Sequence, residues 1–536
     1  MSNHGQNGQP RTTTDTDAMM SARSAHFPSA FYSRIPSGLL ATVFLFCVFM
    51  LTASRLRFGY EGFNMDQCEA LLRGTLARLP DGRLAPYTQG GILEVAACAP
   101  FAALKAWIGA GGGHGGLQQL AHAPALPLYT AILCLLFFGL AREIYGNDAT
   151  AVMLTLILGI CTMVWPYSKF GMETFQTMGT VGGAWALLRH ARTRSTPSAL
   201  AFGCALGALA LTKVSGAVHA ALLGMAGLWL AWRMCWWKSR GFWRNAALAV
   251  LPCAAAAAIF LLTNRWRYGG WVTAGRYSSQ HIQGPAAAFG AFTALIFSPG
   301  KSLFVFSPPL LIGLCYWGWF WRAFPMARPV MIAALLAVVF HLHLDPWTDE
   351  TWGPRRFHFV IPFLLLPAGL WLEGWRGLGC LPRWSGLAAL SAGFIMQLIA
   401  VLFDFTALPF VLGKNFIYTS ENFTWNPALM APCFNLFMLE SMIARLAAGQ
   451  PLRFVYNETY MPWLSPAKTP YPISFDLSGQ DRPDFWYLQH LSDYPNFNAL
   501  LFTSACFILF VIMATACGAV LYMRLRRGRI TLSHER

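Results

Sequence analysis

The sequence predicts an all-α polytopic membrane protein, a bundle of about twelve transmembrane helices with a small extracytoplasmic cap. Three observations carry that prediction. The 536 residues are 56% hydrophobic and only 12% charged, whereas soluble domains run nearer one quarter charged. Apolar stretches of about 17–25 residues, long enough to cross a hydrocarbon core, recur along the chain. The short loops between them carry Arg at alternate turns, the bias that orients spans in a bilayer. Those loop cations account for much of the formal net charge of +16. The charge therefore implies a lipid bilayer as partner and no nucleic acid.

Each segment follows from its composition. Residues 1–35 are polar, rich in Ser and Thr and without apolar periodicity, and read as a disordered cytoplasmic tail. The transmembrane core is expected over 36–403. Its first span, about Ile35–Ser54, lacks a small-x-small cleavage site and reads as an anchor rather than a signal peptide. Arg524-Leu525-Arg526-Arg527-Gly528-Arg529 follows the last span directly, which places both termini in the cytoplasm of an inner-membrane protein. The apolar stretch Ile92–Ile108 contains Lys105 and is interrupted by Pro100, so it reads as a juxtamembrane or re-entrant helix on the outer face. Further spans are expected at about 126–141, 149–166, 172–188, 198–214, 216–232, 245–263, 302–321, 329–344, 357–373, 384–403 and 499–523. Arg then marks every cytoplasmic loop. Residues 404–498, rich in Pro, Asn, Tyr and Trp, form the cap, and 499–536 the last span with its basic tail. Most Cys residues fall in apolar spans as small hydrophobes. Cys68 and Cys98 share the predicted outer face, where a pair could form. No long-period repeat or matched pair of broken spans is present, which disfavours solenoids and inverted-repeat transporters.

Three outer loops gather ionisable groups. The first holds Asp66, Glu69, Arg73, Arg83 and Glu94. The second runs from Trp165 to Glu173. The third group combines Asn264–Gly269, Ser298–Ser302 and Trp352-Gly353-Pro354-Arg355-Arg356. Arg267, Arg276, Lys301, Arg355 and Arg356 flank span ends that should converge, and converging cations suit a phosphate. The alternative is snorkelling to lipid headgroups, which also applies to Lys213. Asp66 is the candidate general base, because a carboxylate can accept the proton of an attacking hydroxyl; an interfacial acid or helix cap is the other reading. Glu173 is a second acid or an N-cap favoured by the helix dipole. Glu94, within an apolar segment, is costly and so a candidate metal ligand, substrate contact or partner of Lys105. His343 and His358 lack metal-ligand spacing and read as structural.

Several of these segments together resemble the GT-C superfamily, integral-membrane glycosyltransferases that use polyprenyl-phosphate sugars. The group includes protein mannosyltransferases and the aminoarabinose transferase of lipid A. Trp165-Pro166-Tyr167-Ser168-Lys169 with Glu173, and Asn264 through Gly269, resemble two of its turns. Phe297-Ser298-Pro299-Gly300-Lys301-Ser302 with Ser307-Pro308-Pro309, and Trp352-Gly353-Pro354-Arg355-Arg356, are its most specific pieces here. The resemblance implies a GT-C-type bundle with juxtamembrane helices in the first outer loop. It also implies inverting transfer, outside the cytoplasm, from a polyprenyl-phosphate sugar donor to an envelope glycan, lipid or protein. Asp66 would be the catalytic base, Arg267, Lys301, Arg355 and Arg356 would hold the donor phosphate, and Glu69, Glu94 and Glu173 would be secondary acids. Some relatives hold a divalent metal ion between the first loop and the Glu173 turn, so such an ion is a candidate cofactor with its ligands unassigned. The alternatives are a transporter or flippase of an anionic lipid-linked substrate and a non-catalytic scaffold.

Overall fold

The computed structural model describes residues 35–54, 68, 91–110, 121, 123–171, 173–239, 241–268, 270–271, 282–344, 352–403, 424–427, 430–449, 485–493 and 497–534. Among them the regular elements are helices, with one isolated antiparallel bridge between Ile282 and Leu344. The helices are α1 (Ser37–Thr52), α2 (Ile92–Ala110), α3 (Ala125–Tyr145), α4 (Asp148–Cys161), α5 (Val164–Phe170), α6 (Thr174–Thr193) and α7 (Thr196–Thr212). They continue as α8 (Val214–Arg233), α9 (Phe242–Tyr268), α10 (Pro285–Phe297), α11 (Leu303–Phe306), α12 (Leu310–Ala323) and α13 (Arg328–Leu342). The last are α14 (Ile361–Leu365), α15 (Ala368–Gly374), α16 (Cys380–Leu402), α17 (Ala431–Ala447), α18 (Trp486–Asp493) and α19 (Phe497–His534).

Among the described residues, seven helical stretches are long and apolar enough to cross a membrane: α3, α8, Phe242–Trp266, Pro325–Leu342, Arg355–Gly377, α16 and Phe497–Arg526. The chain is a multi-pass membrane protein. Several of the expected spans, one of these seven included, are shorter or interrupted, and the interruptions have local causes. The span expected at 149–166 ends at Cys161. There Thr162 turns extended and its hydroxyl donates to Leu158 O at 2.6 Å. The span expected at 302–321 is divided into α11 and α12 by Ser307-Pro308-Pro309, whose prolines supply no N–H to a continuing helix. The span expected at 357–373 starts as the 3₁₀ turn Arg355–Val360 and is jointed at Leu366-Pro367. The segment 264–301, expected to be loop, contains α10. Conversely, α2 runs unbroken through Pro100, and Tyr129 donates to the nearby Ala97 carbonyl at 2.7 Å.

Close backbone approach sets the densest helix contact. Gly203 and Gly207 lie one turn apart on α7, and a Cβ there would stand 2.3 Å from Ala249 O and 2.8 Å from Pro252 O of α9. Small residues four apart let helices meet at this distance where lipid offers no hydrophobic drive between them. At the other side, α19 packs along α1, and Arg524 Nη1 donates to Ile35 O at 2.6 Å. The described parts of 404–498 rest on the core. Asn435 of α17 donates to Ile399 O at 3.2 Å, and the Trp486 indole donates to Met50 O at 2.9 Å. Cys68 and Cys98 meet in a small apolar cluster with Val95 and Ala102.

Replacing Gly207 by Leu should lower stability by about 1–3 kcal/mol through overpacking. Gly224→Ala, where nothing lies within 4 Å of the new Cβ, should not. Thermal unfolding of the two variants in detergent checks this.

Candidate functional site

Two helix starts define the site. Glu173 occupies the N-cap position of α6, yet its side chain makes no capping bond. It turns instead to Lys213, whose Nζ donates to Glu173 Oε2. Lys213 is the single extended residue between α7 and α8, at φ −170° and ψ 170°. The pair is enclosed, with side-chain exposures of 14% and 8%. The charges of Arg355 and Arg356, both half-buried, also act on Glu173. Like and unlike charges thus gather at one end of the bundle. The start of α2 closes on the same place, since a Cβ at Gly91 would meet Thr212 O at 1.8 Å. Glu94, buried, lies on the first turn of that helix.

The two most specific motif pieces meet each other. Lys301 is fully buried, and its Nζ donates to Gly353 O at 3.0 Å. Gly353 takes φ +62°, and a Cβ there would stand 2.8 Å from Phe306 Cγ, so both backbone and space favour glycine. Trp352 is completely buried with its ring edge-on to Phe306, and its carbonyl accepts from Tyr167 OH at 3.0 Å. Ser307 Oγ accepts from Met163 N at 3.1 Å, while Ser302 Oγ caps α11. The turns around Trp165, Ser298, Ser307 and Trp352 therefore form one junction that sets where Arg355 and Arg356 begin.

Beneath the ion pair lies a buried polar group that the sequence reading did not single out, apart from His358. Gln176 Nε2 is 2.9 Å from His219 Nε2, which is 3.1 Å from His341 Nε2. Thr180 Oγ1 is 3.0 Å from His219 Nδ1, and Thr177 Oγ1 is 2.7 Å from His358 Nδ1. The signal was present. A histidine inside an apolar span is costly and marks a site by default, and Gln176 and Thr180 are spaced i, i+4 on α6.

Asp66 and Glu69, with Arg73, Arg83 and Arg276, lie outside the described residues. Arg267 falls on the last turn of α9, and its side chain is also outside them. His343 holds the short bridge, its Nδ1 3.0 Å from Gln283 O. Among the described residues no group of three or more His, Cys, Asp or Glu is gathered to hold a metal ion, and Glu173 is engaged with Lys213.

No family model matches the chain, and no curated protein does. Several solved structures resemble it, two of them as follows. One is ArnT from Cupriavidus metallidurans bound to undecaprenyl phosphate, at TM-score 0.44 and 16% identity, covering 90% of this chain and 78% of that one. The other is the apo Archaeoglobus fulgidus oligosaccharyltransferase, at TM-score 0.38 and 12% identity, covering 85% of this chain and 62% of that one. Likeness at this level carries no argument about what this chain does.

Lys213→Met should destabilise the protein by up to about 3 kcal/mol, because it leaves a buried carboxylate without its partner. Adding Glu173→Gln should recover most of that loss. Denaturation of both single variants and the double variant, compared as a cycle, measures the coupling.

Proposed function

We propose that the chain is an integral-membrane glycosyltransferase that takes its sugar from a polyprenyl-phosphate-linked donor. The acceptor is an envelope glycan, lipid or protein, and the reaction runs on the extracytoplasmic face. The observation that supports this reading is the gathering of Arg355 and Arg356 beside the enclosed Glu173–Lys213 pair. A lipid phosphate departs as an anion, and its departure is eased by fixed positive charge held in a low-dielectric site. The first-loop acid supplies the other half of the chemistry.

The reaction proceeds by inversion. The acceptor hydroxyl oxygen attacks the anomeric carbon while the bond from that carbon to the phosphate oxygen breaks. The leaving lipid phosphate keeps the electron pair, and Asp66 accepts the hydroxyl proton. Arg355 and Arg356, with Arg267, hold the phosphate. Lys301 acts one step back in this scheme. Its ammonium donates one of three N–H groups to Gly353 O, so it also braces the turn that presents the two arginines. Glu69, Glu94 and Glu173 are secondary acids, with Glu173 keeping Lys213 oriented.

One observation favours a second reading, transport of an anionic lipid-linked substrate. Gln176, His219 and His341 are polar groups buried among spans, where a carrier would place them. Uptake into proteoliposomes with the substrate chemically unchanged distinguishes the two.

Purified protein given a polyprenyl-phosphate sugar should transfer it. Asp66→Asn should slow turnover by about 10²–10⁴-fold with little change in donor KM, whereas Arg356→Ala should raise donor KM. Undiminished transfer by the Asp66 variant removes that carboxylate from the mechanism.

A further inference from the structure

The Glu173–Lys213 pair joins the starts of α6 and α8, but a single contact between two helices leaves them free to roll and slide. A second joint lies deeper. Lys213 immediately precedes α8, and His219 sits about 9 Å further along the axis at 1.5 Å per residue. On α6, Gln176 and Thr180 lie at matching depth below Glu173. His219 is 1% exposed and touches both.

The hydrogen positions at this joint follow from the donors available. Thr180 has one hydroxyl proton, which is given to Gln176 O at 2.7 Å. At 3.0 Å from His219 Nδ1 it must therefore accept, so Nδ1 carries the proton. His219 Nε2 is then the acceptor and faces Gln176 Nε2 and, from α13, His341 Nε2. The Gln176 amide is held from its other side by Ser215 Oγ of α8, 3.4 Å from Oε1. The Phe359 ring stands edge-on to His219 at 4.2 Å between centroids, three residues beyond Arg356. One imidazole thus touches α6, α13 and the segment that starts with the two arginines.

We propose that His219 is a positioning residue. By fixing the roll of α8 against α6 and α13, it holds Lys213 on Glu173 and keeps both facing Arg355 and Arg356. The link to sugar transfer rests on the function proposed above; the link to Lys213 does not.

The test uses the full-length protein in detergent. Lys213 and Lys238 are labelled with an N-hydroxysuccinimide ester and followed by peptide mass spectrometry. In wild type, Lys213 should react slowly. In His219→Phe, which keeps an aromatic ring and removes both nitrogens, its labelling should rise several-fold while Lys238 is unchanged. His219→Gln, which restores an acceptor, should recover part of the protection. In the transfer assay the Phe variant should raise donor KM more than it lowers kcat. Equal Lys213 labelling in wild type and a folded Phe variant overturns the proposal. So does a parallel rise at Lys213 and Lys238 in the Phe and Gln variants alike, which would assign His219 to general core stability. Absence of transfer by wild type would defeat the glycosyltransferase reading and leave the labelling result to decide His219 on its own.

Discussion

A carboxylate enclosed at the head of a helical bundle cannot stand alone. Removing an ion from water costs several kcal/mol, and only close opposite charge with further hydrogen bonding offsets it. Glu173 meets that demand with Lys213, and the arginines of the 355–356 turn add to it. Much of the neighbouring architecture follows. The α7–α8 junction must be an extended residue so that a lysine can leave both helices. The α5–α6 turn must bring its acid to the same depth. The turn at Gly353 must take a left-handed conformation so that its carbonyl can receive Lys301.

The same junction links covalent sequence to long-range order. Pieces some 145 and 185 residues apart meet through single hydrogen bonds, Met163 N to Ser307 Oγ and Tyr167 OH to Trp352 O. Each bond satisfies a buried polar group that would otherwise be costly. Prolines at 308, 309 and 354 stand where regular helix breaks and these contacts form. Spans that hydropathy reads as continuous are therefore jointed near the site. Jointed spans place backbone and side-chain polar groups inside the protein rather than against lipid.

Around this centre the bundle divides by what each helix faces. The stretch Phe242–Trp266 and most of α19 are apolar with little burial inside the chain, as lipid-facing helices should be. In contrast, α6 is the least apolar of the long core helices by composition and carries Gln176, Thr177 and Thr180 toward its neighbours. Polar side chains on a buried helix can be retained because α8, α13 and the 355–360 turn supply partners for them.

The sequence alone determined that the chain is helical and crosses a membrane several times, because hydrocarbon-length apolar runs and Arg-marked loops are local properties. It also marked Glu173, Lys213, Lys301, Arg355 and Arg356 as residues of interest, since turn chemistry and charge can be read in place. It could not separate Glu173 as a helix cap from Glu173 as an ion-pair partner, or show that Lys301 reaches the Gly353 carbonyl. Those choices depend on which distant backbone lies within about 3 Å, the range of a hydrogen bond. The joints in the spans and the His219–Gln176–His341 contact were settled the same way. A polar atom in a low-dielectric interior takes its role from the partner that reaches it, and only the tertiary structure brings that partner.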